Sequence, residues 1–343
     1  MNKSNKMIGF RYKKNFIKNK IKQRKLNLTN NPIKTGCRNE CPICGCIDAY
    51  VIAEVDRVGF PCDTVVCKDC QFVFNDSFIA IPGEFYSHEW GIERWGDPET
   101  NFTNRTATNS YSWKRMAFVA KQLGSRFKDI NSVLEVGCGD GCNLLPYHLI
   151  GKFVVGCDFD KRYLRPGLNR GMRLVEGDIT AVSKEYKFDL VMLIHSFEHV
   201  LDMDKMIQQV KDYLTKDGVV FIEVPGILTW NRKKSKYMRS MGLESSNSVL
   251  SYLQFQHNYY FDLEHLKYVW ERNGFKLLVG DQWVRAILHK NENITMQDEP
   301  INNIKSINKE NIYDYLVGVE KDYLRLNNIA CRYIRRLTNN KCN

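Results

Sequence analysis

Val133-Leu-Glu-Val-Gly-Cys-Gly-Asp-Gly141 is a short apolar run that breaks into three glycines at alternate positions. It predicts a buried strand, then a tight turn, then a helix opening near Cys142. Glycine is needed where backbone must turn with positive φ or approach a ligand closely. Many ligands use such a turn, so its neighbours decide which one it holds.

Downstream, strand patterns alternate with helical ones: Val133–Val136, Phe153–Cys157, Arg173–Val175, Leu190–Ile194 and Val219–Val224, with a helix over Asp202–Leu214. That alternation predicts a mainly parallel, doubly wound α/β sheet with ligands at the strands' carboxyl ends. Asp262 is placed to cap a helix ending at Asn273-Gly274, and Leu277–Gly280 with Val284–Leu288 reads as a closing hairpin.

A dinucleotide fingerprint needs Gly-x-Gly-x-x-Gly, but here the sixth position is Cys142. Glu135 before the turn and Asp140 within it would both repel a pyrophosphate. They suit a ligand with a cationic end and no phosphate, which describes S-adenosylmethionine. Asp158, 21 residues after Gly137, ends the second strand, where it can accept both ribose hydroxyls. Gly177-Asp178 ends the third, where a side chain can accept from the adenine amino group.

On these residues the chain resembles the class I S-adenosylmethionine-dependent methyltransferases. The matching stretches are VLEVGCGDG (133–141), VVGCDFD (154–160), EGDI (176–179), FDLVMLIHSFEHVLD (188–202), LTKDGVVFIEVP (214–225) and ERNGFKLL (271–278). The resemblance implies a Rossmann-like seven-stranded sheet with its last two strands antiparallel. It implies a cofactor set of Glu135, Gly137, Gly139, Asp158, Asp178, Ile179 and His195.

Methyl transfer from a sulfonium is an in-line displacement, so the protein must align the acceptor and remove its proton. His195, Glu198, His199 and Asp202 follow the fourth strand at i, i+3, i+4 and i+7, which on a helix is one face. His199 is the expected general base, oriented by Glu198 or Asp202. The same run is similar to the E-x-x-E-H segment that holds a divalent ion in ubiquinone-pathway O-methyltransferases. His195 stands where their first Glu would be, which an oxygen-seeking Mg²⁺ disfavours. A second cluster, Gln254 to Phe261, offers His257 and Tyr259 as further acceptor contacts or bases.

Ahead of this domain, Cys41-Pro-Ile-Cys44 and Cys67-Lys-Asp-Cys70 stand 22 residues apart. Two Cys-x-x-Cys knuckles joined by a hairpin are the ligand spacing of a structural Cys₄ zinc ribbon, with Cys46 an alternative to Cys44. A ribbon in this place resembles that of bacterial methyltransferases of sugar, surface-glycan and secondary-metabolite pathways. Gln71 departs from the glycine common there after the second pair.

The expected organisation is a basic tail (1–36), a ribbon (37–80), connecting or lid helices (81–125), a methyltransferase domain (126–290) and a helical extension (291–343). Residues 1–35 hold eleven Lys/Arg and no acid, and the remaining chain carries 39 basic against 39 acidic residues. A neutral body disfavours a broad nucleic-acid face. The tail itself suits an anionic membrane or an acidic partner. The apolar spacing from Ile312 to Leu337 predicts an amphipathic helix, packed on its own domain or forming a homodimer seam. No apolar run reaches the ~20 residues of a membrane span, so a cytoplasmic enzyme is expected. Its acceptor would be a small, sugar-like metabolite, the alternative being an RNA gripped by ribbon and tail.

Overall fold

The computed structural model describes residues 2–4, 35–57, 59–87, 96–229, 248–291 and 311–324. Most of the basic tail, 230–247 and the C-terminal pattern beyond 324 lie outside the described residues. The chain groups into two compact units, Met1–Phe78 with Gly226–His265 and Glu299–Asn343, and Ile79–Pro225 with Leu266–Asp298.

The second unit is built on a seven-stranded sheet: β1 Ser132–Val136, β2 Phe153–Asp158, β3 Arg173–Glu176, β4 Phe188–Ile194, β5 Leu214–Glu223, β6 Phe275–Asp281 and β7 Arg285–Lys290. Its order is β6-β7-β5-β4-β1-β2-β3. Strands β1 to β5 pair in parallel, and β7 runs antiparallel to both β5 and β6. The sequence pattern shows why. Val133, Leu134, Leu190, Val191, Val220 and Phe221 are all fully buried, as expected of strands covered on both faces. The order reverses between β1 and β4, so the crevice outside their carboxyl ends is the expected ligand position.

Among the described residues six α-helices lie wholly within this unit: α1 Pro82–Ser87, α2 Pro98–Thr106, α3 Tyr111–Leu123, α4 Leu145–Leu149, α5 Lys161–Leu168 and α6 Met203–Tyr213, and the helix Leu263–Glu271 enters it from the first unit. The helix expected to open at Cys142 starts only at Leu145, because residues 141–144 are spent in turn. Phe102, Val119, Leu123, Tyr147 and Leu164 anchor α2 to α5 in one apolar core with β1, β2 and β4.

In the first unit, the hairpin Asp48–Val55 and Pro61–Cys67 pairs antiparallel and continues through Val73–Asn75 to Tyr259–Tyr260. Its core joins Ile52, Val66 and Val73 to Leu250, Leu253 and Tyr260, and to Ile312, Leu316 and Val319 of the helix Ile312–Tyr323. Residues 226–265 and the C-terminal helix therefore group with the ribbon, where the sequence reading had kept all three apart. A segment of ~40 residues buries too little apolar surface to hold itself, and these additions supply the rest. The described turns of the C-terminal helix bury their apolar face within this unit. Among the described residues no helix is long and apolar enough to cross a membrane.

Candidate active site and metal centre

The glycine turn has the expected geometry. Gly137, Gly139 and Gly141 sit at φ 74°, 53° and 79°. A Cβ on Gly137 would lie 2.8 Å from Ser196 Cβ, so close approach as well as positive φ requires glycine there. Gly139 N donates to Asp158 Oδ2 at 2.9 Å, and Asp158 Oδ1 accepts from Asp160 N at 3.0 Å. These bonds fix the carboxylate at the end of β2, while burial pushes its pKa upward. Asp178 is exposed and caps the turn after β3, its Oδ1 accepting from Thr180 N at 2.9 Å. Ile179 is fully buried, so its side chain belongs to the core.

Glu135 is fully buried at the end of β1. Asn143 Nδ2 donates to its Oε1 at 2.7 Å, whereas Oε2 has no hydrogen-bond partner. Burial pushes its pKa up to about 8, against the pull of Asn143, Arg105 and Arg115. Asp140 corrects the sequence reading. Its Oδ1 accepts from Cys142 N, and Arg105 of α2 pairs with its Oδ2 at 3.3 Å, so it is a neutralised structural acid.

The acids and histidines after β4 also differ from expectation. Residues 195–202 do not form one helix face. His195 stands at φ 53°, residues Phe197–His199 make a 3₁₀ turn, and Asp202 is the N-cap of α6, accepting from Lys205 N at 3.0 Å. Asp202 is thus a capping residue. The turn nevertheless brings His195, Glu198 and His199 together. Glu198 is 1% exposed, and its Oε1 lies 3.6 Å from His195 Nδ1 and 3.8 Å from His199 Nε2. Neither Glu198 oxygen has a hydrogen-bond partner. His199 Nδ1 is 2.9 Å from the Tyr86 hydroxyl.

Sequence reasoning missed the groups that link these two clusters. Arg115 of α3 reaches Asn143 Oδ1 at 3.2 Å and Glu223 Oε1 at 2.5 Å, and Glu223 Oε1 lies 3.3 Å from His195 Nε2. Burial opposes ionisation of Glu223, but His195 and Arg115 outweigh it and draw its pKa down to about 2. Burial likewise opposes charge on His195, yet Glu198 and Glu223 hold its proton up to about 9. Polar contacts therefore run from Glu135 through Asn143, Arg115 and Glu223 to His195, and the Glu198 carboxylate lies between His195 and His199 at 3.6 and 3.8 Å. Glu223 was open to discovery, since it ends β5 as Glu135 and Asp158 end their strands. Arg115 carried no local signal, whereas Tyr86 belongs to the aromatic run Phe85-Tyr-Ser-His-Glu-Trp90, which could line an acceptor pocket.

His257 and Tyr259 belong to the first unit. His257 Nε2 lies 3.1 Å from Gln254 Nε2, its carbonyl accepts from Asn75 Nδ2, and Tyr259 is buried against Phe72 and Phe261.

In that unit Cys41, Cys44, Cys67 and Cys70 are buried, with their Sγ atoms all within 4.8 Å of one another. Cys41 and Cys70 sulfurs are 3.6 Å apart, and those of Cys44 and Cys67 3.4 Å. Tetrahedral zinc with bonds of ~2.3 Å places its sulfurs roughly 3.8 Å apart, so the four thiols fit. Cys46 is turned to the backbone of Asp48 and is not in the set. The two knuckles match: Gly45 N donates to Cys41 O and Gln71 N to Cys67 O, with Gly45 at φ 72° and Gln71 at φ 66°. Gln71 thus adopts a glycine conformation with a side chain. Its Nε2 donates to the Cys67 and Lys68 carbonyls and its Oε1 accepts from Tyr313 N.

Residues 109–279 match the model of a methyltransferase domain family. The chain is 26% identical over 144 residues to a ubiquinone biosynthesis O-methyltransferase of Pelagibacter ubique, covering 38% of this chain and 59% of that protein. It is 23% identical over 221 residues to the protein of that name from Brucella anthropi, covering 56% and 85%. It is 21% identical over 263 residues to the C-methyltransferase NovU of Streptomyces niveus, covering 70% and 56%. The chain thus spans less than two thirds of two of these three relatives. With the strand order and the glycine turn, the match establishes that the chain carries a class I S-adenosylmethionine-dependent methyltransferase domain.

Proposed function

We propose that the protein transfers a methyl group from S-adenosylmethionine to a hydroxyl, or to an acidic carbon, of a small metabolite of the sugar or nucleotide-linked sugar class. The observation that carries the proposal is the pairing of Glu135, a buried carboxylate with a free oxygen, with the Glu198–His199 pair through that series of side chains. The relatives point the same way in kind, two being named as O-methyltransferases and one as a C-methyltransferase.

The residues fit the cofactor. Glu135 Oε2 offers a buried acceptor for an ammonium, the Gly137–Gly141 turn leaves backbone open to close approach, and Asp158 and Asp178 offer carboxylates for ribose and adenine. When bound, S-adenosylmethionine supplies a methyl group on a sulfonium that leaves as a neutral thioether. His199 Nε2 takes the proton of the acceptor as its oxygen or carbon attacks in line. Glu198, 3.8 Å from that nitrogen, stabilises the imidazolium that results. His195, held cationic by Glu198 and Glu223, keeps the Glu198 carboxylate in place.

Zinc at Cys41, Cys44, Cys67 and Cys70 is proposed as structural. Four thiolates complete its coordination, which leaves no position for catalysis.

The test is transfer of labelled methyl from S-adenosylmethionine to a panel of free sugars, nucleotide-linked sugars, catechols and an RNA transcript. Turnover of a sugar, abolished by His199→Ala, is the expected result. Turnover confined to the transcript, and falling steeply with salt, would replace this reading with nucleic-acid methylation.

A further inference from the structure

Tyr86 lies on α1, a short helix ahead of the sheet that the mechanism above does not use. Its hydroxyl is 2.9 Å from His199 Nδ1, and the two rings meet edge to face with centroids 5.9 Å apart. The Tyr86 ring also lies nearly parallel to that of Phe159, 10° between planes and 6.5 Å between centroids. Phe159 directly follows Asp158 at the end of β2. Gly83, one turn earlier on α1, stands beside the same ring: a Cβ there would meet Phe159 Cδ1 at 3.4 Å, an ordinary van der Waals contact. Buried Phe85 packs edge-on against Tyr86 at 5.0 Å. The hydroxyl is therefore carried on a ring held by contacts with His199, Phe159 and Phe85, not on a freely rotating side chain.

A neutral imidazole protonates at one nitrogen, and the partner of the other nitrogen selects which. For Nε2 to accept a proton, Nδ1 must carry the hydrogen. That hydrogen needs an acceptor at about 2.9 Å, and the Tyr86 hydroxyl oxygen supplies one. Glu198 Oε1 then faces Nε2 from 3.8 Å, too far to compete as a direct hydrogen bond yet close enough to favour the imidazolium.

We infer that Tyr86 is the positioning residue of the base: its hydroxyl accepts from His199 Nδ1–H and so reserves Nε2 for the acceptor's proton. The inference rests on the reading of His199 as the base. Because Tyr86 also packs on Phe159, beside the acid assigned to the ribose, it ties the orientation of the base to the adenosine end of the site. The step it serves balances: the acceptor's proton passes to Nε2, its electron pair forms the new bond to the methyl carbon, and the sulfur–methyl bonding pair remains on sulfur.

The experiment uses the full chain with histidine labelled in both ring nitrogens and S-adenosylhomocysteine as the bound probe. His199→Gln assigns its resonance among the seven histidines. The expected result is a predominantly Nδ1–H tautomer in the wild type. In Tyr86→Phe, which keeps the ring packing, the tautomer mixes toward Nε2–H. An unchanged tautomer in Tyr86→Phe would overturn the inference. Turnover separates it from the parent reading. A fall in kcat of about ten-fold in Tyr86→Phe at constant KM supports positioning. Full activity in His199→Gln would sink the base itself, whatever the tautomer shows.

Discussion

If Glu135 receives the cofactor's ammonium, binding must expel a proton from it. In the free protein burial holds this carboxyl's pKa at about 8, against an ordinary 4.5. That difference corresponds to roughly 5 kcal/mol of penalty on the ionised form inside the fold. The folded value lies above the unfolded one. The stability Glu135 contributes is therefore fully present below about pH 4.5 and is lost as pH rises through 8. An ammonium placed at Oε2 removes the penalty by pairing with the carboxylate. At pH 7 about 0.9 proton should then leave per ligand bound, and at pH 9 only about 0.1. The dissociation constant for S-adenosylhomocysteine should improve by up to about ten-fold per unit between pH 6 and 8, then level off. Calorimetry in two buffers of different ionisation enthalpy counts the protons directly. Glu135→Gln should abolish the proton release and flatten the pH dependence. The same substitution should leave the free protein more stable than wild type at pH 9, since a neutral amide has no charge to desolvate. A wild type that binds with no proton release at pH 7 would show that the ammonium lies elsewhere, and the role assigned to Glu135 would fall with it.

Metal analysis of the purified protein should find one zinc per chain. Its removal by a strong chelator should unfold the first unit, read as lost ellipticity and lowered Tm, as should Cys67→Ser, because in so small a core metal binding supplies folding free energy. Gln71 gives an ordering test in urea: Gln71→Ala and Gln71→Gly both lose three side-chain hydrogen bonds, but only alanine keeps a Cβ at positive φ, so it should be the less stable by about 1 kcal/mol. Gly137→Ala must accept both φ 74° and a 2.8 Å approach to Ser196, and should lower S-adenosylhomocysteine affinity more than ten-fold and stability by about 2 kcal/mol or more. His195 keeps its proton up to about 9 through Glu198 and Glu223, so its stabilising share is intact below the ordinary 6.5 and fades as pH rises through 9. An NMR titration of its ring should show that midpoint, and Glu223→Gln should lower it.

What could be read without coordinates followed from local chemistry. Apolar runs such as Val133–Val136 and Leu190–Ile194 specify buried strands whatever surrounds them, and the closing hairpin at 275–290 has the same origin. The doubled Cys-x-x-Cys spacing needs only two turns and a hairpin to become a tetrahedral site. The errors came where a side chain's partner is distant in sequence. Asp140 looked like a free carboxylate because Arg105 lies 35 residues before it. The spacing of His195, Glu198, His199 and Asp202 suggested a helix, but His195 hydrogen-bonds back to β5 through its own N–H, 2.8 Å from Glu223 O. That bond ends the strand in a left-handed residue and delays the helix to Met203.

The ribbon's cover is as distant in sequence as these partners are. Ile312, Leu316 and Val319 were legible as an apolar face, but an apolar face does not name what covers it, and here the cover is Ile52, Val66 and Leu253. Gln71 shows the principle in one residue. Read locally it is a lapse from glycine, whereas in the fold its side chain caps the knuckle carbonyls and holds Tyr313 N at the start of the C-terminal helix. The departure from glycine thus costs backbone strain at the knuckle and yields a tie between metal site and helix. The gap between Gln71→Ala and Gln71→Gly measures that strain.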